Sequence, residues 1–137
     1  MFKTEKFEYL CLGLKESIPL RLRKRKIYMH NPFNANVRVS RKEIAQVGKT
    51  MAERLNEAKG RTAVLVPLRG WSIYGAKGGP LYDEVGYKIF LKALKSNLRP
   101  HINLAEVDAH INDAFFVDRC VKQLVEFMNE EENFLKS

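Results

Sequence analysis

The chain has 137 residues, 45% of them hydrophobic and 29% charged, with a formal net charge of +8. That length and balance suit one ordinary globular domain and exclude a disordered chain. No apolar run approaches the roughly 18 to 20 residues that cross a bilayer, and the start MFKTEKFEYLCLGLKES lacks the features of a secretory leader. A cytoplasmic setting with no membrane partner is therefore expected. Cys11 and Cys120 lie far apart without a C-x-x-C spacing and read as reduced and structural.

In chain order, FEYLCLGL suits either a further strand or a covering helix. Arg21, Arg23, Lys24, Arg25 and Lys26 then concentrate much of the positive charge. Such a run can meet phosphates, but it brings no recognition helix and only Tyr28 as a nearby aromatic. A solvated approach to a strand is the plainer reading, and nucleic acid is the less favoured partner. KIYM, Lys26 to Met29, reads as a short apolar strand closed by the turn signal His30-Asn31-Pro32, and FNANVRV continues extended into Ser40.

Ser40 with Glu43 forms a capping-box pattern. Ile44, Val47, Met51, Leu55 and Ala58 follow at helical spacing, and Gly60 marks the stop. TAVLV, Thr62 to Val66, has the continuous β-branched character of a strand buried on both faces. A long Gly-rich loop leads to Asp83, which can cap a helix carrying Val85, Ile89, Phe90, Ala93, Leu94 and Leu98 before Pro100. INLAEV, Ile102 to Val107, is the next strand. Asn112 or Asp113 caps a last helix whose apolar stripe runs through Phe116, Val117, Cys120, Val121, Leu124, Val125 and Met128, and the tail NEEENFLKS is expected to fray.

This alternation predicts three parallel strands, KIYM, TAVLV and INLAEV, joined by right-handed crossovers. The fold class is α/β, a three-layer Rossmann-like open sheet, mainly parallel, with helices on both faces. Ligands of such sheets bind beyond the carboxyl ends of the strands. Those ends carry His30 and Asn31, then Arg69 and Gly70 with the long loop, then Asp108 through Asp113.

At that edge, Arg69 offers a permanent anion clamp, and the loop glycines Gly70, Gly78 and Gly79 let backbone amides approach a phosphate or carboxylate. The loop is not a Walker A motif, because Ala76 stands at the lysine position and no Ser/Thr follows Lys77. Gly78-Gly79-Pro80 also reads simply as a turn. Trp71 suits stacking on a planar ligand or packing as a lid against a neighbouring domain. Asp108 and His110, two apart, would share a face if the strand continued, as an acid/base pair or as two metal ligands. No third metal ligand has a diagnostic spacing, so no metal is predicted. Asn112 and Asp113 serve equally as helix caps. Ser72 lacks a G-x-S-x-G frame, so covalent catalysis has no support.

The motifs RKIYMHNP, VPLRGWSIYGAKGGPLYDE and EVDAHINDAFFVD, in that order, resemble the carboxyl-terminal region of the tomato mosaic virus resistance protein's ATP-binding family, over Ser17 to Met128. The resemblance implies two Rossmann-like halves, of which this chain is the carboxyl-terminal one, a nucleotide-binding function, and no established reaction. Arg69, Gly70, Ser72, Gly78, Pro80, Asp108, His110, Asn112 and Asp113 carry over as motif positions without individual roles. Trp71 and Gly75 stand where relatives usually have a smaller apolar residue and an acidic one.

The favoured expectation is a nucleotide- or phosphometabolite-binding domain, with ATP or another phosphate-bearing ligand implied by the resemblance. It would be completed as a homo-oligomer or by a separately encoded amino-terminal half. Trp71, Tyr74 and Leu81 would then supply apolar surface at the interface. An enzyme with Asp108 and His110 as acid and base, or a basic nucleic-acid module, are the alternatives.

Overall fold

The computed structural model describes residues 5–135, with side chains from 7 to 130. A short helix α1 (Glu5–Glu8) runs into β1 (Tyr9–Leu12). Two single-turn 3-10 segments precede β2 (Ile27–Asn31) and β3 (Asn34–Arg38), followed by α2 (Arg41–Asn56). β4 (Ala63–Pro67), α3 (Glu84–Asn97), β5 (Asn103–Val107) and α4 (Ala114–Leu135) complete the α/β chain.

β4 and β5 pair in parallel, with Val64 opposite Leu104 and Pro67 opposite Val107, as TAVLV and INLAEV predict. Helices cover both faces of this pair. Val64, Val66 and Leu104 pack with α2 and α3, while Leu65 and Val107 pack with Phe116 and Cys120 of α4. The ordinary period-two alternation of side chains makes this three-layer arrangement.

KIYM departs from the expected open sheet. β2 pairs antiparallel with β3, and β3 with β1, in a separate sheet of order β1-β3-β2. The reason is the connection: only Pro32 and Phe33 separate β2 from β3, whereas a parallel pair needs a crossover of a dozen or more residues. Asn31 Oδ1 accepts the Phe33 amide at 2.9 Å and closes the hairpin. FEYLCLGL thus contributes the outer strand of this sheet, and Ile18 and Leu22 seal its apolar face against Ala35 and Val37.

The capping box of α2 is formed in full, Ser40 and Glu43 each bonding the other's backbone N–H. α2 crosses α3 closely at Gly48, where a Cβ would stand 2.7 Å from the Phe90 carbonyl oxygen. Asp83 occupies the N-cap position of α3, but its side chain makes no capping hydrogen bond and instead faces Arg41 at 3.8 Å.

α4 differs from expectation in two ways. Only Phe116 and Cys120 of the predicted stripe turn to the core, whereas Val117, Val121, Leu124, Val125 and Met128 are 46% to 59% exposed. The parallel pair is two strands wide and covers one face of the helix, so the neighbouring face stays open. The tail is helical to Leu135 rather than frayed; near its start Arg61 pairs with Glu130 and lies over the Phe127 ring at 5.9 Å. Lys136 and Ser137 lie outside the described residues. Among the described residues no helix is long and apolar enough to cross a membrane.

Candidate functional site

β3 reads Asn34, Ala35, Asn36, Val37, Arg38, so its polar residues share one face and its apolar ones the other. Antiparallel pairing adds Cys11 and Tyr28, both opposite Asn36, and Tyr9 opposite Arg38 to the polar face. Residues 68–83, between β4 and α3, lie over that face. A cleft of about 420 Å³ remains between them, floored by Tyr9, Cys11, Asn34 and Asn36 and bordered by His30. Ser72, Ile73 and Tyr74 form the opposite wall, with Ile111 and Asn112 from the segment after β5. Segments that follow both parallel strands therefore border one cavity.

The long link is fixed by its own aromatic residues. Trp71 is buried, donates from Nε1 to the Pro67 carbonyl at 3.0 Å, and meets Tyr87 and Phe90 edge-on at 4.6 and 4.5 Å. Leu81 is fully buried. These two residues are thus core, not the interface surface that the sequence suggests: the link folds back, Trp71 packs against α3 and Leu81 is enclosed, while Leu68 and Ile73 stay exposed. Tyr74 is half-buried, its hydroxyl 2.6 Å from His30 Nδ1 and its ring edge-on to Tyr9 at 5.9 Å.

Beneath the link lies a buried polar cluster. Glu8 is wholly buried; Oε2 accepts from Ser72 Oγ at 2.5 Å and Oε1 from the Tyr87 hydroxyl at 2.5 Å. Ser72 Oγ also accepts the Gly75 amide at 3.1 Å. Gly75 permits this approach, since a Cβ there would overlap both Glu8 oxygens and the Tyr87 hydroxyl. Burial, and then the charge of Glu8, push the Tyr87 hydroxyl well above the ordinary tyrosine range. Arg38 is 6% exposed, its guanidinium 5.6 Å from the Tyr87 ring centre, and none of its three nitrogens has a hydrogen-bond partner among the described residues.

The other sequence-predicted residues fall into distinct roles. Arg69 grips Asp108 with both ends of its fork, at 2.8 and 2.7 Å, on the exposed surface. The pair holds the Asp108 carboxyl below its usual range and raises the guanidinium further. His110 does not contact Asp108 through its ring. Its Nε2 meets the Ser72 carbonyl at 3.2 Å and its Nδ1 accepts the Asn112 amide at 3.1 Å, the bonding pattern of the Nε2–H tautomer. Asp113 accepts the His110 amide at 2.7 Å and stands immediately before α4.

Gly70 has φ +142°, and a Cβ there would come within 2.8 Å of His110 Cδ2, so glycine locks the two loops together. Ala76, Gly78, Gly79 and Pro80 make the turn, with the Gly79 amide on the Ala76 carbonyl at 2.7 Å and the Leu81 amide on that of Tyr74 at 2.9 Å. His30, Ser72 and Asn112 reach the cleft; Asn31 serves the hairpin.

Sequence reasoning missed Glu8, Arg38 and Tyr87, and the amides Asn34 and Asn36. The alternation N-A-N-V-R was the available signal, a strand with one polar face where a doubly buried one is apolar throughout. Chemically, the described lining of the cleft holds no lysine, arginine, aspartate or glutamate, and sets amide, hydroxyl, thiol and imidazole groups among aromatic and aliphatic walls. No group of three or more metal-ligating side chains occurs among the described residues.

Residues 6–128 match the model of the uncharacterised protein family UPF0261, C-terminal domain. A UPF0261 protein of Clostridium tetani is 31% identical over 119 residues, covering 86% of this chain and 30% of that relative. One from Rhizobium meliloti is 30% identical over 108 residues, covering 77% of this chain and 27% of the relative. The chain thus spans less than a third of the length of the curated relatives it matches. With the family model covering most of its residues, the chain belongs to UPF0261, of which it carries the C-terminal domain.

Proposed function

We propose that this domain binds a nucleotide or another phosphate-bearing metabolite in the cleft at the carboxyl ends of β4 and β5. The observation that carries this reading is the convergence of both post-strand segments and the polar face of the antiparallel sheet on one cavity of about 420 Å³. The sequence resemblance to the ATP-binding family of the tomato mosaic virus resistance protein supports it; that narrower kinship rests on the three motifs, while the family match itself is to UPF0261. A cytoplasmic setting belongs to the same reading, supported by two free cysteines.

The amino-terminal part of a UPF0261 protein, on the same or a separate polypeptide, would complete the site. The short share of the relatives' length and the open apolar face of α4 support that partner. Neither alternative gains support from the geometry. Asp108 and His110 have separate partners, and of the basic run Arg23 bonds the Ile18 and Glu16 carbonyls while Arg25 grips Glu43.

Calorimetric and thermal-shift titration with ATP, ADP and a panel of sugar phosphates tests the reading. A saturable rise in Tm with at least one of them is expected. If none binds at millimolar concentration, either to this chain or to a full-length UPF0261 protein, the reading fails.

A further inference from the structure

Resting on that reading, we infer that the cleft holds the nucleobase of the ligand, not its phosphates, and that Asn36 reads the base edge. The first ground is charge. Among the described residues, none lining the cleft is a lysine, arginine, aspartate or glutamate, so a phosphoryl group there would be buried without a counter-charge. The two arginines nearest the lining in sequence are engaged elsewhere: Arg69 is exposed with both arms of its fork on Asp108, and Arg38 is not among the lining residues, its guanidinium lying 5.6 Å from the Tyr87 ring centre.

The second ground is an unpartnered amide. Asn36 is 2% exposed, lines the cleft, and its Oδ1 has no hydrogen-bond partner among the described residues. A buried polar atom left unpaired costs on the order of 1 to 3 kcal/mol, and Oδ1 lies out of solvent's reach, so a ligand that draws the amide round toward the cleft recovers that cost. The amide's two ends are interchangeable by rotation of the terminal group, so either can face the cleft. Asn36 sits in a β3 register that directs Asn34 to the same cavity, and Asn112 joins them from the segment after β5. Each of the three side-chain amides offers a donor and an acceptor in its own plane, which is what the edge of a purine or pyrimidine presents in return.

The walls suit the same ligand. Tyr9, Tyr74, Ile73 and Ile111 supply flat aromatic and aliphatic surface for a planar ring. A free sugar is the poorer fit, because no carboxylate among the described lining residues can take hydroxyl pairs through charge-assisted bonds. The phosphates of a nucleotide would then extend from the mouth toward solvent, past the exposed residues of the long link.

The test compares unphosphorylated and phosphorylated probes on the same chain. Adenosine, guanosine, cytidine, uridine, ribose 5-phosphate and inorganic triphosphate are titrated by calorimetry. At least one nucleoside should bind within about tenfold of its nucleotide, and neither triphosphate nor ribose 5-phosphate should compete with it. Asn36→Ala should weaken that nucleoside at least about fivefold. Should the variant not fold, the wild-type Asn36 side-chain amide resonance decides, since nucleoside addition must shift it. Binding of triphosphate or ribose 5-phosphate without any nucleoside would overturn the base assignment while leaving phosphometabolite binding standing. An Asn36 amide unmoved by a bound nucleoside would overturn it as well.

Discussion

Ser72 and Glu8, 64 positions apart, are joined by a 2.5 Å hydrogen bond from the serine hydroxyl to a carboxylate that no solvent reaches. This bond ties the long link to the amino-terminal segment, and with it one wall of the cleft to the sheet that forms its floor. Ser72→Ala should destabilise the fold by about 1.5 to 3 kcal/mol, because a buried carboxylate loses a donor. Urea unfolding of the variant checks this. A change within about 0.5 kcal/mol would mean that the bond is incidental to the link's position.

Gly70 tests how tightly the two post-strand segments interlock. Its φ of +142° disfavours any side chain, and an added Cβ would stand only 2.8 Å from His110 Cδ2, so the two effects act together. Gly70→Ala is expected to cost about 2 kcal/mol or more and to lower Tm, whereas Gly60→Ala, where a Cβ meets open space, should not. Differential scanning calorimetry of the two variants makes the comparison.

The pH dependence of stability has an acid and an alkaline limb. On the acid side, the Arg25 guanidinium and then the Ser40 amide hold the Glu43 carboxyl at about 2, below its ordinary 4.5. A depressed folded value means stability present above pH 4.5 and lost as pH falls toward about 2. With the Glu43 side chain 44% exposed, solvent screening reduces this contribution to about 1 kcal/mol. Tyr87 works in the opposite sense. Its raised folded value means stability present below pH 10 and lost as pH rises above it, since the unfolded hydroxyl ionises first. Glu43→Gln should flatten the acid limb of a Tm-against-pH curve, and Tyr87→Phe the alkaline limb.

The open face of α4 predicts an association that can be removed without harming the fold. Val121 and Leu124 are 54% and 59% exposed, so changing both to lysine should alter unfolding free energy by less than about 0.5 kcal/mol. The isolated parent should self-associate through this face as concentration rises into the micromolar range, and the double variant should stay monomeric. Sedimentation velocity distinguishes them. A parent that remains monodisperse would show that the face needs no cover.

The features legible in the chain alone were local or strongly periodic. Ser40 and Glu43 specify the start of α2 because a capping box closes within a single turn. TAVLV and INLAEV specify a parallel pair because buried strands separated by a helix have few other ways to meet. The same patterns left the long link at the strands' carboxyl ends, where the cleft opens. Long-range packing decided the rest. KIYM is as apolar as a parallel strand, and only its short connection to FNANVRV commits it to an antiparallel sheet. Trp71 and Leu81 are apolar residues in a long loop, and whether they face outward or inward depends on how that loop folds back over the rest of the chain. Glu8, Ser72 and Tyr87 carry no shared motif, because hydrogen bonds across 64 and 79 positions leave no spacing in the chain to read. The stripe of α4 is uniform in sequence, but burial depends on the width of what packs against it, and two strands cover only one of its faces.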